Sequence, residues 1–152
     1  MRYGILSDIH RINPQIVPIA INALKNEGVE KLILNGDITG DQFQHLDDHN
    51  YLAYVLQSAG ESGLDTYIQP GSHEELRDFN AVLHHLTQRY SNLIDVTKER
   101  KINNGDHHLV FLPGSDWRAG RAQKNGFSIE SSEHESGIYK TQEGGILQIS
   151  NI

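Results

Sequence analysis

Three short apolar runs in the first half of this chain each end abruptly on side chains that bind metals, and that repetition constrains the fold more than any other feature. Tyr3, Ile5 and Leu6 run into Ser7-Asp8-Ile9-His10, Leu32-Ile33-Leu34 into Asn35-Gly36-Asp37, and Thr66-Tyr67-Ile68 into Pro70-Gly71-Ser72-His73-Glu74. The stretches between them carry apolar residues at helical spacing, so strands alternate with helices, the pattern of an α/β fold with a parallel sheet. If the three runs are parallel neighbours, every polar tip lies along one edge of one sheet. That is the edge at which open α/β sheets bind ligands.

The connecting segments are readable in the same way. Asn13-Pro14 makes a good helix start, Ile16, Val17, Ala20, Ala23 and Leu24 give the apolar stripe, and Gly28 a stop. Residues 29–34 form the second strand. The polar segment Gly36 to His49 is a loop whose last acids, Asp47 and Asp48, open a helix with Leu52, Val55, Leu56 and Ala59 buried; Gly60 and Gly63 end it. Asp65 to Ile68 is the third strand. Ser72 with Glu75 has the S-x-x-E form of a capping box, and the helix it opens runs to about Tyr90 through Leu76, Phe79, Val82, Leu83 and Leu86. Beyond residue 90 the pattern is less regular: strands are expected at Leu93–Val96, at His108–Leu112 after an Asn103-Asn104-Gly105 turn, and at Ile146–Ile149. The polar, Gly- and Ser-rich residues 116–145 read as a long loop.

At 152 residues the chain is expected to be a single domain, with the motifs in a 1–90 βαβαβα half. A formal charge of −7 disfavours a protein that wraps a nucleic-acid backbone, since phosphate contacts require clustered Lys and Arg. An acidic site can still process phosphates, because bound cations supply the positive charge. The absence of cysteine excludes disulfides, thiolate metal sites and cysteine nucleophiles. It fits a reducing compartment, and without a signal-peptide pattern or an apolar run of about 20 residues the expected location is cytoplasmic, off the membrane.

Each tip alone has an ordinary explanation as a turn or a helix cap. Together, Asp-x-His, Gly-Asp and Gly-Ser-His-Glu, in this order and each after an apolar strand, resemble the calcineurin-like metallophosphoesterases, whose pattern begins D-x-H, G-D and G-N-H-D/E. The resemblance covers residues 1–89. It implies an αββα sandwich in which Asp8 and His10 bind a first metal, Asp37 bridges two, Ser72 stands at the place of a second-metal ligand, and His73 is the catalytic group beside the leaving oxygen. It implies one or two divalent ions per site, Mn first, with Fe or Zn as alternatives, and a phosphoester substrate that is a nucleic acid, a nucleotide or a small molecule. Carboxylate and imidazole ligands suit those ions. Two cations about 3.5–4 Å apart can activate a water and stabilise both ends of an in-line displacement. Glu74 fits a supporting role, steadying His73.

Two departures from the family pattern shape the expectation further. Ser72 replaces asparagine, and a neutral hydroxyl is a poorer donor than an amide oxygen, so the second metal is expected to bind weakly. The later histidine motifs of the family have no counterpart; after His108 the only histidine is His134. The second sheet is therefore expected to be incomplete at the C-terminus, exposing an edge and apolar surface that a second copy or a partner would cover. The alternative function is a noncatalytic binding or regulatory domain, or a truncated phosphoesterase with a degenerate site. A nucleotide-binding or phospho-acceptor domain ranks third, because neither G-x-G-x-x-G nor a Walker-type loop is present. His45, His49, His84, His85, His107 and His108 read as surface or turn residues in preference to ligands, Asp41 as either a group supporting the metal ligands or part of a turn, and Trp117, Arg118 and Arg121 as the head of a solvated loop in preference to a phosphate clamp.

Overall fold

A computed structural model describes residues 1–10, 12–40, 47–71 and 73–113, together with the backbone of two strands, Gly137–Lys140 and Ile146–Ile149. Four strands, β1 (Tyr3–Leu6), β2 (Lys31–Asn35), β3 (Asp65–Gln69) and β4 (Leu93–Asp95), form one parallel sheet in the order β1-β2-β3-β4. The register pairs Leu6 with Leu34, Leu34 with Ile68, and Asn35 with Gln69, so the carboxyl ends of the first three strands stand side by side. The alternation of strand and helix read from the sequence is therefore a mixed α/β fold around a parallel sheet.

Three helices connect these strands: α1 (Ile16–Asn26), α2 (Asp48–Ser62) and α3 (Leu76–Thr87). With sequential strand order, right-handed crossovers place every helix on the same face of the sheet. The packing agrees. Leu32, Leu34 and Ile68 from one face of β2 and β3 are buried with Val17 and Ile21 of α1, Leu52, Val55 and Leu56 of α2, and Phe79 and Leu83 of α3. Ile33 and Tyr67, which point the other way because side chains alternate along a strand, pack instead with Val96 and Phe111. That second face is covered in part by Ile102 and Leu109 of an antiparallel hairpin, β5 (Lys101–Asn103) and β6 (His108–Val110), turned at Asn104-Gly105. On edge strand β1, Ile5 remains 60 % exposed.

Several boundaries differ from the sequence expectation for identifiable reasons. Asp47 caps α2, its side chain accepting from the Asn50 N–H at 2.8 Å. Gly60 lies inside that helix, where a missing side chain makes room for Tyr90, and Gly63, at φ 73°, is the residue that ends it. The capping-box reading places a helix start at Ser72, yet α3 begins at Leu76, and the Glu75 side chain at its N-cap does not cap the helix. Residues 73 and 74 are engaged elsewhere: the His73 N–H donates to Asp37 Oδ1 and the Glu74 carboxylate accepts from loop N–H groups. A strand, β7 (Gly137–Lys140), interrupts the stretch read as loop at 116–145 and pairs antiparallel with β8 (Ile146–Ile149). No helix among the described residues is long and apolar enough to cross a membrane.

Candidate metal centre

The chain brings the three polar tips together at the carboxyl edge of the sheet through its own backbone. The Asp8 N–H donates to the Gly36 carbonyl at 3.3 Å and the His10 N–H to the Asp37 carbonyl at 3.1 Å, which ties the segment after β1 to the one after β2. The His73 N–H donates to Asp37 Oδ1 at 3.1 Å, adding the segment after β3. Asp37 is only 9 % exposed and stands at the centre of this arrangement.

Left-handed backbone outside glycine gathers at the same place. Among the described residues, those with positive φ that are not glycine are Asp8 (53°), His10 (44°) and Asp37 (49°). L-residues avoid this left-handed region because Cβ crowds the backbone. Asp and His tolerate this region better than most residues, and its recurrence at one edge of the fold singles that edge out as a candidate site. Close backbone approach adds to the picture: a Cβ on Gly71 would overlap the Asp37 carboxylate.

Glu74 binds the loops from beneath. Its carboxylate accepts from the N–H groups of Asp37 at 3.0 Å, Thr39 at 2.8 Å and Gly71 at 2.6 Å, and from Thr39 Oγ1 at 3.2 Å. Charge-assisted bonds of this kind are roughly twice as strong as neutral ones. The sequence suggests that Glu74 steadies His73; the contacts show it fastening the two loops to each other.

His10, Asp37 and His73 each offer a ligand atom, and these atoms lie within 4.8 Å of one another. The two imidazoles meet edge to face with centroids 4.8 Å apart. Two observations fit this group to a cation. His10 Nδ1 is buried without a hydrogen-bond partner, a costly condition that a metal ligated there would relieve. Two imidazoles and a carboxylate also form a donor set suited to Zn²⁺, Mn²⁺ or Fe. Ligands about 2.1 Å from a tetrahedral ion are about 3.4 Å apart, so the group would close inward on binding.

The remaining residues singled out in the sequence fall in different places. Asp8 lies outside the group of three, with its side chain 68 % exposed and Oδ1 at 3.7 Å from His10 Nε2. Ser72, Asp41, His45, Trp117, Arg118, Arg121 and His134 lie outside the described residues. His49, His84 and His85 are exposed on helices. His107 joins a separate network, its Nε2 at 2.6 Å from the Tyr3 hydroxyl and its Nδ1 at 2.6 Å from Asp106 Oδ1. That bond to His107 holds the Asp106 carboxyl below the usual range. Thr39 and Gly40 also border the centre, and sequence reasoning passes over them. Their one signal is a second glycine, four residues after Gly36, in a polar loop.

No protein-family model and no curated protein matches the chain. Among solved structures it is similar to TT1561 of Thermus thermophilus, at 11 % identity and a TM-score of 0.51, over 62 % of this chain and 40 % of that one. A second solved structure matches at 12 % identity and a TM-score of 0.51, over 69 % of this chain and 49 % of its own. At such identities the likeness is one of fold. The chain spans less than half the length of either structure.

Proposed function

We propose that this chain is a metal-dependent phosphoester hydrolase domain of the metallophosphoesterase type, built on part of an αββα sandwich. The observation that carries the reading is the convergence of His10, Asp37 and His73 from three strand ends onto one spot at the carboxyl edge of the sheet. The order and spacing of the D-x-H, G-D and G-S-H-E segments support the same assignment. A divalent ion held by His10, Asp37 and His73 would supply Lewis-acid polarisation of a phosphate and a more acidic water.

The protein's own groups then have definable tasks. The carboxylate of Asp37 offsets the ion's charge and, through the N–H of His73, fixes where the third tip lies. Glu74 keeps both loops in register, so the ligands are held in place before substrate arrives. With its Nδ1 toward the ion, His73 would hydrogen-bond the departing oxygen of the ester through Nε2–H. The substrate class is a phosphoester of nucleic-acid, nucleotide or small-molecule type, since in such folds the choice lies in loops.

The test is hydrolysis of bis(p-nitrophenyl) phosphate with Mn²⁺, Zn²⁺ or Fe²⁺ added, against Asp37→Asn. Turnover that requires metal and disappears in the variant supports the enzyme. The exposed position of Asp8, outside the ligand group, favours a second reading, a noncatalytic binding domain. Ion binding without turnover under any of these metals would establish that second reading.

A further inference from the structure

We infer that His10 and His73 bind one ion through their Nδ1 atoms, in a space kept open by Gly40, with Asp37 as third ligand and Asp8 outside the ligand set. This deepens the proposed metal dependence and rests on it, but it does not require hydrolysis. It differs from the arrangement that the family resemblance implies, where Asp8 is a ligand, His73 is not, and two ions are held.

Gly40 defines the space. Its φ is 119°, and the point where its Cβ would stand lies 2.8 Å from His73 Nδ1 and 3.1 Å from His10 Nδ1. Any side chain there would press on both nitrogens at once. His73 Cγ is also close to that point, at 3.0 Å, so both imidazoles border this space. An ion between the two nitrogens would sit beside that point, at about 2.1 Å from each once the rings close inward.

The tautomer of His10 points the same way. Its Nε2 lies 3.7 Å from Asp8 Oδ1, beyond hydrogen-bond range but close enough for the carboxylate's charge to favour a proton on Nε2. The lone pair then resides on Nδ1, which is buried and has no hydrogen-bond partner. A carboxylate that orients the far N–H of a metal-bound imidazole is a recurrent arrangement, and it accounts for Asp8 better than ligation does, given how exposed that side chain is. Asp37 completes the set, its ligand oxygen within 4.8 Å of both histidines' ligand atoms.

The experiment uses the full chain, uniformly ¹⁵N-labelled, titrated with Zn²⁺ and followed by long-range ¹H–¹⁵N imidazole spectra, with His10→Gln and His73→Gln for assignment. Zn²⁺ should shift Nδ1 of both residues while Nε2 stays protonated, at one Zn²⁺ per chain by elemental analysis. Gly40→Ala should weaken Zn²⁺ binding at least tenfold although it removes no ligand, and Asp8→Asn should weaken it less than His73→Gln does. Shifts at Nε2, a second tightly bound ion, or no retained ion would overturn the inference. Because the spectra are read on the native chain, a Gly40→Ala protein that fails to fold leaves the decision intact. Two ions with phosphodiester turnover would sink this arrangement and spare the hydrolase. One ion bound through Nδ1 without turnover would do the reverse.

Discussion

Asp37 Oδ1 accepts the backbone N–H of His73 at 3.1 Å, so one candidate ligand holds in place the segment that carries another. Asp37→Asn retains an oxygen for that bond and loses the charge, whereas Asp37→Ala loses both. The asparagine variant should bind Zn²⁺ at least tenfold more weakly with an almost unchanged urea midpoint. The alanine variant should lose about 1 kcal/mol of stability as well, because it strands a part-buried N–H. Calorimetric titration and urea denaturation on the same preparations separate the two effects.

Glu74 is the second point of attack. A glutamine there presents one acceptor oxygen and an NH₂ to a pocket whose other members, the N–H groups of Asp37, Thr39 and Gly71 and the Thr39 hydroxyl, all donate. Glu74→Gln should therefore unfold about 2 kcal/mol more readily in urea. It should also weaken ion binding, although Glu74 is not among the ligands. Unchanged stability would show that the loops are held by other contacts.

Gly60 offers a test of packing far from the centre. On helix propensity alone, alanine inside α2 would stabilise by about 1 kcal/mol. Here its Cβ would fall 2.5 Å from Tyr90 Cγ, so the expected sign is reversed. Gly60→Ala should destabilise by about 1–3 kcal/mol, and adding Tyr90→Ala should recover part of the loss of fit, read as coupling in a double-mutant cycle.

Stability should fall on the alkaline side. Lys31 Nζ donates to the Tyr67 hydroxyl at 2.9 Å, and this bond above all holds the Lys31 pKa above its ordinary value of 10.5. Tyr3 is pushed above its ordinary 10.0, chiefly by burial. Both groups keep their protons more tightly in the folded chain, so their contribution is complete below the ordinary values and is lost as pH rises through the folded ones. The urea midpoint should be level near pH 9 and decline above about pH 10, with a shallower decline in Tyr67→Phe.

Much of this is legible in the sequence because strand ends and candidate ligands coincide. The apolar runs at Leu32-Ile33-Leu34 and Thr66-Tyr67-Ile68 must be buried on both faces, which demands central parallel strands and fixes where Asp37 and His73 emerge. What stays hidden depends on pairing between distant segments. Nothing local reveals that Glu74 reaches the N–H groups of two loops, or that the His73 N–H is drawn to Asp37 and delays the start of α3. The strand at Gly137–Lys140 is obscured by polar surroundings; it exists through pairing with β8. Gly40 reads as ordinary loop punctuation, since a glycine's role is defined by what approaches it.

The left-handed backbone at Asp8, His10 and Asp37 sets durability against ligand capture. Each residue holds a conformation that glycine would adopt with about 1 kcal/mol less strain. Selection for heat resistance alone would thus drift toward glycine at these three positions, erasing two of the candidate ligands, His10 and Asp37, and the Asp8 carboxylate beside them while the sheet and helices grew firmer. A thermally hardened descendant that had kept all three would carry, in its backbone, an argument for the proposed ion binding.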